Sequence, residues 1–308
     1  MKKKIGLALG SGGARGLCEI GVLLWLKEHG IEVHCVAGTS IGSIIGGAYA
    51  AGFSPEYMRE IALSMGWLEF LKAFRLSFKG RSVLEWDKIE AMLRVDLGGK
   101  KIEDLPIPFA CVAADLDSGR EFVFKEGDLV AAMGASACIP GVFPPVELLG
   151  RHLVDGELVN PVPLDLAKEL GADRVIGVNA SRSVFTDRMS HEAGHIGLVE
   201  KLDGWVRDSI EKNPLMSSFN ARKWLDSVAG DRERKRRRNL IDAFTDSIAI
   251  VTSRVLVQNE LNAGPHFMIN PEVGGFQTFD FDRAQTIIAM GYEETESISG
   301  ELLEFIEN

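Results

Sequence analysis

The sequence predicts an α/β fold with a mainly parallel central sheet flanked by helices. Short apolar runs alternate with helix-like segments over residues 4–52, and the same alternation returns from residue 109 onward. Strands and helices that alternate over short connections are typical of parallel sheets with right-handed crossovers. The chain has 308 residues, 46% of them hydrophobic and 25% charged, which suits a globular protein of this class. We therefore expect one large α/β domain.

The first four predicted elements follow one another closely. Residues 4–9 form an apolar run that ends in glycines, which predicts a strand feeding a tight turn. Residues 17–29 read as a helix, and residues 33–37 form a second short apolar strand. A helix rich in alanine and glycine follows over residues 42–52. This order predicts two neighbouring parallel strands joined by a helix.

The later elements repeat the pattern with longer interruptions. The predicted strands are 109–114, 121–124, 175–180 and 267–273, and the predicted helices are 127–138, 164–171, 240–262 and 281–306. Between them, residues 139–146 hold three prolines, which exclude regular structure there. Apolar residues at helical spacing make 240–262 a strongly amphipathic helix.

The segment Gly38–Gly42 matches the pattern G-x-S-x-G around Ser40. In this motif the serine lies at a sharp, strained turn from a strand to a helix, which exposes its hydroxyl. Glycines on either side let the neighbouring elements approach without Cβ clashes. The motif makes Ser40 a candidate nucleophile for acyl transfer, with a purely structural turn as the alternative.

A glycine-rich loop, Gly10–Gly16, connects the first strand to the first helix. A dinucleotide-binding loop would need a glycine where Arg15 stands and an acidic residue at the end of the second strand. An oxyanion hole fits better, in which the backbone N–H groups of Gly12, Gly13 and Ala14 hold the negative oxygen of a tetrahedral intermediate. Arg15 either braces this loop or the elbow, the strand-to-helix turn around Ser40, or it lies on the surface.

A catalytic serine needs a base, and Asp155 is the candidate because it follows an apolar pair and precedes Gly156. This context predicts the end of a strand and a turn. The alternative is an ordinary Asp-Gly turn residue without a catalytic role.

The order of glycine-rich loop, G-x-S-x-G and Asp-Gly resembles the patatin-like phospholipase family, especially its bacterial members. The stretch ASACIPGVFPPV, residues 135–146, is also similar to that family's sequence before its aspartate. The resemblance covers roughly residues 4–180 and fades beyond residue 184. Its specificity lies in the combination of motifs.

The resemblance implies a three-layer patatin-like fold, with residues 1–308 as a single catalytic domain. It also implies a serine acyl-ester hydrolase for phospholipid or lysophospholipid, which works through a Ser–Asp dyad without histidine. Ser40 would attack the ester carbonyl, Asp155 would take its proton, and water would release the acyl-enzyme. No metal and no cofactor are implied. The residues with supporting roles would be Arg15, Gly38, Gly42 and Gly156.

Two positions depart from the family pattern. The family's glycine triplet reads Ser11-Gly12-Gly13 here, and serine still offers its N–H. The usual Asp-Gly-Gly or Asp-Gly-Ala reads Asp155-Gly156-Glu157. Glu157 either alters the pKa of the base or faces solvent.

Residues 53–85 and 184–239 break the α/β pattern. The first contains an apolar and aromatic run that could form a lid, line an acyl-chain channel, or pack as a helix on the core. Its members are Trp67, Leu68, Phe70, Leu71, Phe74, Leu76 and Phe78. The second is a polar insertion that ends in a basic run. Both segments also suit the alternative function, a non-catalytic, membrane-associated regulatory protein on the same fold.

The basic run contrasts with a formal net charge of −10, which argues against a general nucleic-acid binder. It comprises Arg232, Arg234, Lys235, Arg236, Arg237 and Arg238. Such a cluster is attracted to anionic lipid surfaces, although a solvated helix start or loop is the alternative. The sequence shows no secretory signal or apolar span, so we expect a cytoplasmic protein with peripheral membrane contact.

Three histidines, His191, His195 and His266, could complete a triad if the chain were an ordinary α/β-hydrolase. In that fold, however, the serine elbow normally follows several strands, whereas here it ends the second. We therefore expect each of them to be a surface or packing residue.

Overall fold

A computed structural model describes residues 3–64, 75–76, 84–85, 87–181 and 240–308. The strands in these residues are β1 (Ile5–Leu9), β2 (Val33–Thr39), β3 (Arg75–Leu76), β4 (Leu84–Glu85), β5 (Phe109–Asp115), β6 (Arg120–Phe124), β7 (Val146–Leu148), β8 (Arg151–Asp155), β9 (Arg174–Val178) and β10 (His266–Ile269). The helices are α1 (Cys18–Glu28), α2 (Ile41–Ala50), α3 (Pro55–Ser64), α4 (Asp87–Leu97), α5 (Leu129–Ser136), α6 (Leu164–Glu169), α7 (Leu240–Asn262), α8 (Ala284–Ser297) and α9 (Ser299–Glu307).

The chain divides into two compact units. One comprises Met1–Val184 together with Ile248–Asn308, and the other comprises Phe185–Ser247. Of the second unit, the described residues are 240–247, which belong to α7. The single domain expected from the sequence stays a prediction.

The central sheet is mainly parallel, as the sequence predicts. Strands β10, β9, β1, β2 and β5 lie side by side in this order, and all four of these pairings are parallel. The antiparallel pairings join β5 to β6, β5 to β8, and β7 to β8. The carboxyl ends of the five parallel strands therefore meet at one edge of the sheet.

The sheet is covered on both faces, which gives three layers. Alternate residues of β1 point to opposite faces, so that Leu7 and Leu9 belong to one hydrophobic cluster and Ala8 to another. The first cluster contains the buried side chains of α1, α2, α5 and α8. The second contains those of α6, together with Leu256 and Ala263. Strands β1 and β5, which lie between the two layers, are nearly continuous apolar runs, as expected for a sheet buried on both sides.

Strands β2 and β8 pair one after the other with the same edge of β5, and β6 pairs with the opposite edge. On one side of β5, Cys111 pairs with Phe124 and Ala113 pairs with Phe122, both in β6. On the other side, residues 109–112 pair with β2, and residues 113–115 pair with β8. Strand β8 therefore continues along β5 from the point where β2 ends. This arrangement sets the end of β8 beside the end of β2.

Most predicted elements are confirmed to within a few residues. The predicted helix at 281–306 is wrong in one respect, because the backbone leaves helical geometry at Ile298 and separates α8 from α9. Serine, glycine and a β-branched residue surround this break, and all have low helix propensity. Of the β7–β8 hairpin, the sequence predicts only the strand end before Asp155.

Candidate active site

Ser40 lies at the turn between β2 and α2. Its backbone has φ 57° and ψ −124°, a left-handed region that L side chains rarely adopt. Holding a residue there costs on the order of 1–3 kcal/mol, so the surrounding structure must impose it. Ser40 thus has the backbone strain that the G-x-S-x-G motif predicts.

The two glycines of the motif are required by close contacts. A Cβ at Gly38 would overlap the carbonyl oxygen of Gly42, and a Cβ at Gly42 would overlap the carbonyl oxygen of Leu9. These are backbone atoms, which cannot move aside as a flexible side chain could. Gly38 therefore permits the sharp turn from β2 into α2, and Gly42 permits the start of α2 to approach the end of β1.

Hydrogen bonds from distant parts of the chain hold the elbow. The N–H of Ser40 donates to the hydroxyl of Ser136 at 2.9 Å, and the hydroxyl of Thr39 donates to the carbonyl oxygen of Asn160 at 2.8 Å. The carbonyl oxygen of Ser40 accepts from the hydroxyl of Ser43 at 2.6 Å. Ser136 is fully buried and was not singled out by the sequence, although the stretch 135–146 contains it.

The hydroxyl of Ser40 donates a hydrogen bond of 2.6 Å to Oδ2 of Asp155. This contact follows from the shared edge of β5, where Thr39 pairs with Val112 and Asp155 pairs with the next residue, Ala113. The two side chains are nearly inaccessible, with exposed fractions of 4% for Ser40 and 0% for Asp155. The sequence prediction that these distant residues lie together agrees with this geometry.

Asp155 is held by its neighbours as well as by Ser40. Its Oδ1 accepts from the N–H of Glu157 at 2.9 Å, and its own N–H donates to the carbonyl oxygen of Cys138 at 2.8 Å. Gly156 follows it because a Cβ there would overlap the carbonyl oxygen of Val112. Both carboxylate oxygens therefore have a fixed partner, and Oδ2 is the one that faces Ser40.

Burial raises the pKa of Asp155 well above its usual range, and the nearby charge of Glu157 raises it further. The hydroxyl of Ser40 and the N–H of Glu157 act in the opposite direction. An ordinary aspartate is a weak base, so a raised pKa makes the carboxylate better suited to accept a proton.

The glycine-rich loop lies against the elbow. A Cβ at Gly16 would overlap the side chain of Ile41, at the start of α2. The N–H of Ala14 donates to the carbonyl oxygen of Thr278 at 2.8 Å, whereas the N–H groups of Gly12 and Gly13 have no acceptor among the described residues. Ala14 is thus not available as a third oxyanion donor in this conformation, because its N–H is already used.

The guanidinium of Arg15 braces this loop. Its Nε donates to the carbonyl oxygen of Ala180 at 3.2 Å, and its Nη1 donates to that of Phe276 at 3.1 Å. Arg15 is half-buried, so of the two alternatives left open by the sequence the bracing role agrees with the structure.

Histidine takes no part in this arrangement within the described residues, since none hydrogen-bonds to Ser40 or Asp155. His266 begins β10 and pairs with Val175. It therefore lies at the amino ends of the parallel strands, whereas the elbow lies at their carboxyl ends. His191 and His195 lie outside the described residues, as do the basic run and most of the aromatic run in 53–85.

The described residues also bear on metal binding and on membrane spanning. They contain no group of three or more His, Cys, Asp or Glu side chains arranged to hold a metal ion. Within the same ranges, none of the helices combines the length and apolar character that crossing a membrane requires.

The chain is similar to several known proteins. An uncharacterised NTE-family protein of Mycobacterium tuberculosis is 39% identical over 180 residues, which are 58% of this chain and 50% of that protein. Patatin-like phospholipase domain-containing protein 6 of Homo sapiens is 30% identical over 304 residues, covering 96% of this chain and 20% of the human protein. The chain therefore spans half or less of the length of these relatives.

Lysophospholipase NTE1 of Phaeosphaeria nodorum is 26% identical over 313 residues, 98% of this chain and 19% of that protein. Among solved structures, VipD from Legionella pneumophila covers 97% of this chain and 67% of its own, with 14% identity and a TM-score of 0.48. The family model described as patatin-like phospholipase matches residues 7–168, more than half of the chain. The chain belongs to the patatin-like phospholipase family.

Proposed function

We propose that this chain is a serine hydrolase that cleaves acyl esters of phospholipids or lysophospholipids through a Ser40–Asp155 dyad. The observation that carries the proposal is the 2.6 Å hydrogen bond between Ser40 Oγ and Asp155 Oδ2, formed by two buried groups at a strained elbow. Family membership supports the reaction class, and a relative named lysophospholipase supports the choice of lipid esters.

In the first half of the reaction, Ser40 Oγ attacks the ester carbonyl while its proton passes to Asp155 Oδ2. The carbonyl oxygen becomes an oxyanion, for which the N–H groups of Gly12 and Gly13 are the proposed donors. The positive end of α2, which begins directly after Ser40, favours the same developing charge. The tetrahedral intermediate then expels the alcohol, which receives the proton from Asp155, and leaves Ser40 acylated.

In the second half, water attacks the acyl-enzyme and gives its proton to Asp155. Collapse of this intermediate releases the fatty acid and returns the proton to Ser40 Oγ. The carboxylate acts as base and acid in turn, so a pKa raised by burial serves both halves. Histidine is not needed, because Asp155 contacts the nucleophile directly.

The basic run from Arg232 to Arg238 supports a peripheral contact with anionic lipid, where such substrates are found. This contact and a cytoplasmic location remain predictions from the sequence.

The test is hydrolysis of a p-nitrophenyl acyl ester and of lysophosphatidylcholine by Ser40→Ala and Asp155→Asn. Removing either member of a unit that acts together typically lowers kcat by about 10⁴-fold or more, so we expect both variants to lose nearly all activity. Circular dichroism and urea unfolding should show that both variants remain folded.

Two controls define the outcome that would contradict the dyad. Asp117→Asn changes an exposed aspartate in the β5–β6 turn, and His266→Ala removes the described histidine that was considered for a triad. Both should keep parental activity. If Asp155→Asn kept most of the activity and His266→Ala lost it, the proposed mechanism would be wrong.

A further inference from the structure

The backbone of Asn160 contacts both sides of the proposed dyad. Asn160 is almost completely buried, with an exposed fraction of 1%. Its carbonyl oxygen accepts a hydrogen bond of 2.8 Å from the hydroxyl of Thr39, the residue before Ser40. Its N–H donates at 2.9 Å to the carbonyl oxygen of Gly156, in the turn after Asp155. One residue therefore binds the neighbour of the nucleophile and the neighbour of the base.

The next residue extends these contacts to the glycine-rich loop. The carbonyl oxygen of Pro161 accepts from the N–H of Ser11 at 2.9 Å. A Cβ at Gly10 would lie 3.2 Å from the same carbonyl oxygen, so the loop approaches this segment closely. Residues 160–161 are thus bonded to the elbow, to the turn after Asp155 and to the loop of the proposed oxyanion donors.

The side-chain amide of Asn160 is bound by three further elements. Its Nδ2 donates to Oδ1 of Asp165 in α6 at 3.0 Å and to Oε1 of Glu121 in β6 at 3.3 Å. Its Oδ1 accepts from Nδ2 of Asn259 in α7 at 3.1 Å. An ionised carboxylate only accepts hydrogen bonds, so the two acids determine which end of the amide carries the donors. Because both ends of the amide are used, the side chain is held in one orientation.

We propose that Asn160 is a positioning residue whose amide, bound by β6, α6 and α7, holds the backbone that places the elbow against the turn after Asp155. Asn160 acts through Thr39 and Gly156, which lie beside the reacting groups. Helix α7 is thereby connected to the elbow through Asn259. The kinetic consequence rests on the proposed function, whereas the placement of the elbow can be measured without turnover.

The first experiment changes the amide itself. Asn160→Asp has nearly the same shape, but it replaces two N–H donors by a carboxylate oxygen beside Asp165 and Glu121. We expect kcat to fall about 100-fold with a much smaller change in KM, because a misplacement of about 1 Å in the reacting groups costs this much in rate. A folded Asn160→Asp with the parental kcat would overturn the proposal. If Asn160→Asp does not fold, single-contact variants decide.

The single contacts are removed by Thr39→Val and Asn259→Ala. Thr39→Val keeps the shape of the side chain and removes the hydroxyl that binds Asn160, whereas Asn259→Ala removes the donor to its amide oxygen. We expect each variant to lower kcat severalfold with a smaller change in KM. Thr39→Ser keeps the hydroxyl and should retain most of the kcat that Thr39→Val loses. Asn262→Ala, at the exposed last residue of α7, is the matched control and should equal the parent.

The double variant Thr39→Val/Asn259→Ala separates positioning from two independent structural roles. Thr39 and Asn259 bind different groups of Asn160, so any coupling between them passes through this residue. Once the hydroxyl of Thr39 is gone, we expect Asn259→Ala to cost little further kcat. Effects on kcat that simply multiply would overturn the proposal, because α7 and the elbow would then act independently.

Hydrogen exchange of the elbow gives a readout that needs no turnover. Exchange of the backbone N–H groups of residues 38–43 reports how firmly the elbow is held, and that of α9 serves as an internal reference for the global stability. We expect Asn259→Ala to speed exchange at the elbow severalfold and to leave α9 unchanged, while Asn262→Ala matches the parent at both. Parental exchange at the elbow of Asn259→Ala would overturn the proposal. Faster exchange there, in a protein whose parent hydrolyses no ester, would sustain the placement of the elbow and remove the proposed function.

Discussion

Ser40 is held through its backbone as well as through its side chain, and both contacts come from residues far away in the chain. The carboxylate of Asp155 accepts a hydrogen bond from the hydroxyl of Ser40. The fully buried hydroxyl of Ser136 accepts one from the N–H of Ser40. The second contact stabilises a backbone conformation that would otherwise be unfavourable. At the residue scale, Ser136 is therefore a structural requirement of the elbow.

We expect Ser136→Ala to destabilise the protein and to lower kcat. The change leaves the buried N–H of Ser40 without its acceptor, which typically costs about 1–3 kcal/mol. Urea unfolding and ester hydrolysis measure the two effects. Ser64→Ala, at an exposed position in α3, is the control and should change neither. Unfolding of Ser136→Ala at the parental urea concentration would contradict this role.

The residues that carry a local pattern could be predicted, and those defined by distant partners could not. Ser40 and Asp155 have glycines and strand ends around them, which give a recognisable motif. Ser136 accepts its hydrogen bond from a residue 96 positions away, and nothing in its neighbourhood indicates this partner. The same holds for Ala14, whose N–H donates to the carbonyl oxygen of Thr278. Thr278 lies outside residues 4–180, the part of the chain that carries the family resemblance.

At the scale of elements, the decisive feature is the edge of β5 that β2 and β8 share. The sequence predicts β2 and β5 because each is an apolar run next to turn or helix signals. The hairpin that brings β8 into place was largely missed, because β7 has three residues and follows a proline-rich loop. The β7–β8 hairpin, which places Asp155 beside Ser40, is thus harder to predict than Asp155 itself.

We expect Gly42→Ala to disturb the packing of α2 against β1. The added Cβ would overlap the carbonyl oxygens of Leu9 and Gly10, which belong to the backbone. Overpacking of this kind costs typically about 1–3 kcal/mol, and here it also displaces the elbow. We expect a lower unfolding midpoint in urea together with a loss of ester hydrolysis.

The control for this prediction is Gly99→Ala. An added Cβ at Gly99 meets no atom within 4 Å, and no positive φ is required there. This variant should match the parent in both measurements. If Gly42→Ala also matched the parent, the close approach of α2 to β1 would not be needed for the site.

At the scale of the whole molecule, the formal net charge of −10 opposes binding to anionic membranes. Any such binding must therefore come from a local concentration of positive charge. The basic run from Arg232 to Arg238 is the candidate in the sequence, and it lies outside the described residues. Its role thus stays a prediction.

We expect replacement of Arg234, Lys235, Arg236, Arg237 and Arg238 by glutamine to weaken binding to vesicles that contain phosphatidylserine. Each basic side chain near such a surface contributes about 1 kcal/mol, and salt screens the attraction. Co-sedimentation at low and high salt measures the effect, and hydrolysis of a soluble ester should stay unchanged. Equal binding by the variant and the parent would remove the basic run from the proposed function.

The carbonyl oxygens that fix the glycine-rich loop include those of Ala180, Phe276 and Thr278, whereas the loop itself begins at Gly10. During translation, the residues of the loop leave the ribosome well before two of these anchors, Phe276 and Thr278. A nascent chain can therefore form the strand, the elbow and the Ser40–Asp155 contact while the loop still lacks these anchors. The conformation described for the loop becomes attainable only once Phe276 and Thr278 have emerged.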